Sequence, residues 1–409
     1  MSSPLLCEKK LLEACVHPFL VHPGQARLMF PKSAFTDVLR GSPFLSNLSR
    51  YGFAAADLLV PDSSNTHCSP FLHSLRKDIL SLQKSDMLVP NWSRFVSQGT
   101  TTALQKTGIH EENLPLDNPY AAPALEHLWN ERDWITKEMN EISSENSLLI
   151  PTLGKPSVKI QYNSGDGACF PCHFDSDAQV DDRCVTFILY LNPEYLNVPT
   201  SPEEAQNQGG HFVAYPIPYP PVSFSPAMGR IVAFSSKNML HRTLPCRSAE
   251  SRCCLTLWFP AEVDDDVASA APSAPSAPSS PHYSTLSLDD FSPFAKVRDD
   301  DVRALDILLE PDMRPHLARL LLAGEWIDSL RLSHTDTAMD VRTMEPIKGG
   351  VEDYVKTMVQ DLQVIEKALV QRVQQRGVKN WTTTHLRELS GKLPLRGDRH
   401  PLSEMHWWE

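Results

Sequence analysis

The feature that most constrains the fold is a series of short segments with strand periodicity between Val158 and Phe259. The clearest is Arg252 to Phe259, in which apolar and more polar side chains alternate. A period of two places each set of side chains on one face of a strand. Repeated strands of this kind predict a mainly β core with the double-stranded β-helix (jelly-roll) architecture.

Segments with helical periodicity flank this β core. Ser69 to Leu82 and Leu125 to Ile142 precede it, and Val302 to Leu332 and Val351 to Val373 follow it. In each segment apolar residues recur three or four positions apart. We therefore expect helices bracing the core and a C-terminal helical region. The apolar stripe of the last segment is either a packed face or a surface for a protein partner.

Composition divides the chain further. Residues 268–281 consist of Ala, Pro and Ser and lack the large apolar side chains that a folded core needs, so they predict a linker. The predicted units are an N-terminal extension (1–45), a core domain (46–262), an Ala/Pro/Ser-rich linker (263–292) and a helical C-terminal region (293–409).

A candidate metal site begins with His173 and Asp175. Residues two apart on a strand share a face, so this imidazole and carboxylate can converge on one ion. A later histidine, His241, supplies a third ligand. Two histidines and one carboxylate leave positions open on an octahedral iron, as an oxygen-using enzyme requires.

Other ligand sets are weaker candidates. His211 competes with His241, but the strand that follows His241 favours the latter. Asp177 shares a face with Asp175 if the strand continues, and it stays open as the alternative carboxylate. Cys169 and Cys172 have zinc-like spacing, but no second pair follows at a suitable distance.

The order of these motifs resembles the catalytic core of the iron(II)- and 2-oxoglutarate-dependent dioxygenases, most closely the prolyl 4-hydroxylase branch. The resemblance is specific from Val158 to Phe259 and includes the strand with Arg252, Thr256 and Trp258. It implies that residues 46–262 are the dioxygenase domain.

The resemblance also assigns roles to individual residues. His173, Asp175 and His241 would hold Fe(2+) as catalytic ligands, and Arg183 would lie at the substrate rim. The residues that would line the 2-oxoglutarate pocket are Arg252, Tyr190, Tyr162, Thr256, Ile188 and Trp258. Arg252 and Tyr190 would contact the distal carboxylate of 2-oxoglutarate, because an arginine matches a carboxylate in charge and shape.

The implied reaction is hydroxylation of a protein or peptide substrate at proline, with release of succinate and CO2. Its implied cofactors are Fe(2+), 2-oxoglutarate and O2, with ascorbate as a further candidate. Two alternatives stay open. The first is an oxygenase acting on another residue or on nucleic acid, and the second is a non-catalytic adaptor that presents its C-terminal helices to a partner.

Charge and cysteine content bear on partners and compartment. The formal net charge of −12 argues against a nucleic-acid partner, since such binding depends on Lys and Arg neutralising phosphates. The cysteines are odd in number and irregularly spaced, which indicates reduced thiols and a cytoplasmic or nuclear protein. A membrane location is not expected, because no long apolar stretch occurs in the sequence.

Overall fold

The computed structural model describes most of the chain from Lys32 onward. The described residues are 32–41, 43–58, 70–97, 100–118, 121–176, 181–196, 209–217, 221–247, 251–262, 298–310, 312–347, 350–386 and 408. Asp177, the predicted linker and most of the predicted N-terminal extension lie outside them.

Strands and helices alternate in blocks along the described chain. The strands are β1 Phe53–Asp57, β2 Val89–Ser97, β3 Thr100–Leu114, β4 Ser157–Asn163, β5 Phe170–His173, β6 Arg183–Tyr190, β7 Phe212–Tyr215, β8 Val222–Phe224, β9 Arg230–Ser235, β10 Leu240–Thr243, β11 Arg252–Pro260, β12 His334–Asp340 and β13 Pro346–Ile347. The helices are α1 Lys32–Gly41, α2 Phe44–Tyr51, α3 Pro70–Lys84, α4 Pro123–Glu145, α5 Asp299–Leu308, α6 Arg314–Leu321, α7 Ala323–Ser333 and α8 Gly350–Gln375.

Two antiparallel sheets form the core, as the jelly-roll prediction requires. The larger has the order β1-β9-β6-β11-β4-β3-β12-β13, with β2 also paired to β3, and the smaller has the order β5-β10-β7-β8. Cys253, Leu255 and Leu257 of β11 are buried on the face that packs against helices α1 to α4. Arg252 and Thr256 lie on the opposite face, toward the smaller sheet. The alternation read from the sequence is thus confirmed.

Helices α1 to α4 cover the outer face of the larger sheet, and their apolar residues form one core with it. The carboxylate of Asp78 on α3 accepts hydrogen bonds from the backbone N–H groups of Ala124 (2.7 Å) and Leu125 (3.2 Å) at the start of α4. Such a carboxylate satisfies helix N–H groups that would otherwise have no partner. The contact therefore fixes α3 against α4.

The C-terminal region is helical, as predicted, but it also contributes two strands, β12 and β13, to the larger sheet. Strand β12 pairs with residues 102–106 of β3, while β4 pairs with residues 109–114 of the same strand. Gly108 separates the two stretches with a φ of 64°, a conformation that favours glycine. Any larger residue there would also collide with Ser164, because its Cβ would overlap the Ser164 Oγ.

Helix α7 packs on β5, and Trp408 near the C-terminus donates a hydrogen bond from Nε1 to the Ser49 carbonyl at 2.9 Å. The region therefore contacts both the smaller sheet and helix α2. None of the described helices is long and apolar enough to cross a membrane.

Candidate active site

The strand pairing brings the two predicted histidine ligands together. His241 on β10 lies opposite His173 on β5 in the antiparallel register of the smaller sheet, and their ring centroids are 4.3 Å apart. Asp175 follows β5 by two residues. Its Oδ1 lies 3.4 Å from Nε2 of His173 and 3.5 Å from Nε2 of His241. Among the described residues, these three form the group that could hold a metal ion.

These distances fit three adjacent positions around one octahedral metal ion. With metal–ligand bonds of about 2.1 Å, neighbouring ligand atoms are about 3.0 Å apart, so a small contraction would complete the site. One face of three ligands leaves the opposite face open. That face is where other molecules could bind the ion.

Further contacts orient each ligand. The ring Nδ1 atoms of His173 and His241 lie 2.8 Å and 3.1 Å from the backbone carbonyls of Pro171 and Met239. Each Nδ1 therefore carries the proton, and each Nε2 presents a lone pair to the site. This is the tautomer that a metal-binding histidine needs.

Asp175 is held by two donors on its other oxygen. Its Oδ2 accepts hydrogen bonds from Thr186 Oγ1 at 2.6 Å and from Trp258 Nε1 at 3.0 Å. Burial favours the neutral acid, but the neighbouring imidazoles of His241 and His173 hold the pKa of Asp175 well below its usual value. Burial lowers the pKa of His173, which favours its neutral form. The site thus pairs an ionised carboxylate with a neutral imidazole ligand.

Next to this site, Arg252 is buried without a charge partner. Its side chain is 2% exposed, and Nε has no hydrogen-bond partner among the described residues. The guanidinium lies 4.9 Å from the Tyr190 ring centroid and donates from Nη1 to Cys254 Sγ at 3.6 Å, but no described carboxylate pairs with it. An unpaired buried charge costs several kcal/mol. This arrangement favours an anionic ligand.

Tyr190 can contribute to the same anion site. It is fully buried, and its hydroxyl also lacks a geometrically suitable hydrogen-bond partner among the described residues. Burial raises the pKa of Tyr190, so its hydroxyl stays protonated and can donate. Thr256 and Ile188 line the adjoining pocket. A carboxylate ligand such as that of 2-oxoglutarate fits this donor set.

The family model of the 2OG-Fe(II) oxygenase superfamily matches residues 159–260. This segment is a 2OG-Fe(II) oxygenase domain. The match spans the three candidate metal ligands, Arg252 and Tyr190. No curated protein matches the chain.

The solved structures that match this chain include three prolyl hydroxylases. A prolyl 4-hydroxylase from Phytophthora capsici has 19% identity and a TM-score of 0.52, with 90% of this chain and 98% of that chain covered. A Trichoplax adhaerens prolyl hydroxylase, solved with a hypoxia-inducible factor peptide, has 20% identity, a TM-score of 0.44 and coverage of 59% and 96%. A Pseudomonas putida prolyl-4-hydroxylase has 18% identity, a TM-score of 0.39 and coverage of 54% and 97%. The Phytophthora structure establishes the shared fold.

The structure brings most of the predicted site residues of the oxygenase domain together. Trp258 and Arg183 both line the pocket, and the Arg183 guanidinium lies 4.9 Å from the Trp258 ring centroid. Arg183 is also paired with Asp181 at the rim. His211 lies outside this pocket, beside Tyr195, whereas His241 lies with His173 and Asp175 in the group that could hold a metal ion.

Tyr162 is a correction to the predicted pocket. Its side chain packs against the core formed with the helices, on the same face of β4 as Ile160, and it does not line the pocket of the oxygenase domain. The physical reason is strand alternation, which instead turns Gln161 into the pocket.

The same alternation reveals residues that the sequence reasoning missed. Lys159, Gln161 and Asn163 alternate along β4 with Val158, Ile160 and Tyr162, and this pattern was available in the sequence. Asn163 lies opposite Arg252 in the strand register, and both of its side-chain amide atoms are buried without a described partner. It is therefore a further polar group beside the anion site.

Lys106 on β3 introduces an unexpected charge into the pocket. Its Nζ donates to Asn91 Oδ1, whereas the nearby carboxylate of Glu111 pairs with Lys159 at 2.7 Å. Burial lowers the pKa of Lys106 to about 8, with Glu111 opposing and Lys159 reinforcing the shift. His334 lies opposite Lys106 on β12. Lys106 is thus close to its titration point at neutral pH.

The pocket has a volume of about 580 Å³ and is not built by the oxygenase domain alone. The β2–β3 hairpin contributes one wall, which includes Trp92 and Arg94. The C-terminal region contributes another through Trp326, Leu330 and Tyr354. Residues far apart in sequence therefore surround the metal site.

Proposed function

We propose that the chain is an Fe(II)- and 2-oxoglutarate-dependent dioxygenase that hydroxylates a protein or peptide substrate at proline, with release of succinate and CO2. The observation that carries this proposal is the two-histidine, one-carboxylate site beside a buried and unpaired arginine. A metal site alone would suit many functions. The adjoining anion site at Arg252 and Tyr190 indicates in addition that the cosubstrate carries a carboxylate.

His173, Asp175 and His241 would hold the iron, and Arg252 with Tyr190 would hold the distal carboxylate of 2-oxoglutarate. When bound, iron, 2-oxoglutarate and O2 supply the oxidising chemistry. The protein orients the residues that would hold these groups. Thr186 fixes the Asp175 carboxylate by a hydrogen bond of 2.6 Å.

Apolar side chains around His241 would keep water from the site. Phe212 stacks on the His241 ring with centroids 5.2 Å apart, and the Phe234 centroid lies 4.4 Å from that ring. A dry environment strengthens the contact between Arg252 and a carboxylate. It also protects a reactive centre from side reactions.

Proline as the target residue is supported by the resemblance of residues 158–259 to the prolyl 4-hydroxylase branch and by the fold shared with the Phytophthora capsici prolyl 4-hydroxylase. A peptide substrate is favoured by the size of the pocket, since about 580 Å³ exceeds what 2-oxoglutarate alone would occupy.

The test is iron-dependent formation of succinate from 2-oxoglutarate, with and without proline-containing peptides, in wild type and in His173→Ala, His241→Ala and Arg252→Ala. We expect the histidine variants to lose both iron binding and turnover. The Arg252 variant should retain iron and recover turnover at high 2-oxoglutarate.

His211→Ala is the matched control, because this histidine lies outside the pocket. It should bind iron and turn over as wild type does. A wild-type protein that binds neither iron nor 2-oxoglutarate would contradict the catalytic proposal. Turnover with peptides that lack proline, but not with those that contain it, would contradict the choice of target.

A further inference from the structure

Lys106 places an ammonium group in the active-site pocket without an ion pair. The side chain lies on β3, is partly exposed and lines the pocket wall that the β2–β3 hairpin forms. Its Nζ donates to Asn91 Oδ1, and no carboxylate of the described residues forms an ion pair with it. The neutral amide of Asn91 orients the ammonium but does not compensate its charge.

The titratable neighbours of Lys106 do not neutralise it either. The nearby carboxylate of Glu111 already pairs with Lys159 at 2.7 Å. His334 lies opposite Lys106 in the register of β12 and β3, and burial lowers the pKa of this histidine to about 4, so it is neutral at pH 7. Lys106, Lys159 and Glu111 together therefore leave one positive charge in excess.

Arg94 adds a second unpaired cation to the same wall. It lies on β2, is exposed, lines the pocket and forms no ion pair with a described residue. Arg183, by contrast, is paired with Asp181. The chain as a whole has a formal net charge of −12, so this local excess of positive charge is opposite in sign to the charge of the protein. A cleft that gathers unpaired cations attracts an anionic ligand.

The ammonium of Lys106 lies close to the candidate metal site. Its Nζ is 5.2 Å from the Phe170 ring centroid, and that ring stacks on the His173 ring with centroids 6.1 Å apart. One aromatic ring thus separates the unpaired cation from a candidate metal ligand. An extended peptide advances by about 3.3–3.6 Å per residue, so a side chain that reaches Lys106 would belong to a residue within about four positions of one at the metal site.

This anion site is separate from the one at Arg252 and Tyr190. Arg252 lies on β11, and β4 lies between β11 and β3, which carries Lys106. Neighbouring strands are about 4.8 Å apart, so two strand spacings separate the backbones that carry the two cations. Lys106 can therefore hold an anion other than the distal carboxylate of 2-oxoglutarate.

We propose that Lys106 and Arg94 form a binding site for a substrate carboxylate, so that the protein selects peptides with an aspartate or glutamate near the target proline. The proposal rests on the proposed function and adds a charge requirement for the substrate. A lysine ammonium has three donors, of which Asn91 accepts one, and the others stay available to a carboxylate. Within the pocket, such a charge-assisted contact is screened less than a surface ion pair.

Equilibrium binding of three fluorescein-labelled peptides would test this site. They are Glu-Glu-Glu-Pro-Glu-Glu-Glu and its analogues with Gln or Lys in place of Glu, which cover both directions along the substrate. The full chain would be loaded with Mn(II) and 2-oxoglutarate without O2, so that binding is measured without turnover. The test variant is Lys106→Met. The matched control is Lys155→Met, because Lys155 is an exposed lysine that pairs with Asp133 outside the pocket.

We expect wild type and Lys155→Met to bind the Glu peptide at least tenfold more tightly than the Gln analogue, and Lys106→Met to bind the two equally. Mn(II) and 2-oxoglutarate affinities should be the same in all three proteins. The Lys analogue should bind most weakly to wild type, although the net charge of the chain would favour it.

Four results would overturn the carboxylate site. They are equal affinity of wild type for the Glu and Gln peptides, no binding of any peptide, tightest binding of the Lys analogue, and a preference for Glu that survives in Lys106→Met. A loss of 2-oxoglutarate affinity in Lys106→Met would also overturn it, because the lysine would then hold the cosubstrate. A wild type that binds neither Mn(II) nor 2-oxoglutarate would instead contradict the proposed function.

Discussion

Because Arg252 is buried without a charge partner, we predict that replacing it stabilises the ligand-free protein and weakens the binding of 2-oxoglutarate. In the ligand-free protein, Arg252→Met removes a guanidinium that is 2% exposed and has no described carboxylate partner. Replacing a poorly compensated buried charge by an apolar side chain of similar length stabilises a protein by about 1–4 kcal/mol. The lost contact with the Tyr190 ring offsets about 0.5–2 kcal/mol of that.

We therefore expect the ligand-free Arg252→Met protein to be more stable than wild type by about 1–2 kcal/mol. At about 2 °C per kcal/mol for a large chain, this is a rise of a few degrees in Tm. The same substitution should weaken 2-oxoglutarate binding. A charge-assisted hydrogen bond contributes about 1.5–3 kcal/mol, which corresponds to a loss of about 10- to 150-fold in affinity.

Scanning calorimetry of the ligand-free protein and titration of the Mn(II)-loaded protein with 2-oxoglutarate measure the two effects. Arg230→Met is the control, because Arg230 pairs with Asp57 at 2.7 Å within the larger sheet and lies outside the pocket. Its loss should lower Tm and leave 2-oxoglutarate affinity unchanged. A ligand-free Arg252→Met protein that melts below wild type, or binds 2-oxoglutarate equally well, would refute the reasoning.

Three further predictions concern the surroundings of the site. Trp258→Phe removes the 3.0 Å hydrogen bond to Asp175, and we expect iron affinity to fall by about 10- to 100-fold, measured by titration with Fe(II) under anaerobic conditions. Lys106→Met should stabilise the protein at pH 7 by up to about 3 kcal/mol, because the folded state holds this proton less tightly than the unfolded state does. That gain in stability should shrink as pH rises from about 8 toward 10, because wild-type Lys106 then becomes neutral in both states. Urea unfolding of both proteins at pH 7 and pH 9.5 measures the difference in unfolding free energy. A difference that does not change with pH would show that the charge of Lys106 is not its cause. Glu325→Ala breaks the 3.2 Å pair with Arg242, and we expect a loss of about 1–3 kcal/mol in unfolding free energy together with weaker peptide binding at constant iron affinity.

The sequence was sufficient to predict the jelly-roll core and the three residues that lie together as a candidate metal site, because the strands on which they lie are recognised by local periodicity. His173 and Asp175 lie two residues apart, and Arg252 opens a strand whose alternation is unambiguous. The wrong pocket assignment of Tyr162 has a related cause. The side of the sheet to which Tyr162 points depends on which residues of β4 face the pocket, and in the structure the neighbouring Gln161 does so instead.

The C-terminal contribution to the pocket could not be predicted in this way. Trp326 and Tyr354 lie on amphipathic helices whose periodicity shows that one face is buried but not against what. Their proximity to His173 depends on long-range contacts such as the hydrogen bond from Cys172 to Ser329. The domain boundaries, ascorbate use, the cellular compartment and a partner for the C-terminal helices stay predictions.

The two neighbours on one edge of β3 have a consequence for how this protein can be dissected. Strand β4 covers residues 109–114 of that edge, and β12, contributed from more than 200 residues later, covers residues 102–106. A chain shortened after Glu262 would leave these backbone N–H and C=O groups unpaired, as a template for strands of other molecules. Such a fragment would retain His173, Asp175 and His241, the candidate metal ligands, and yet be prone to self-association and precipitation.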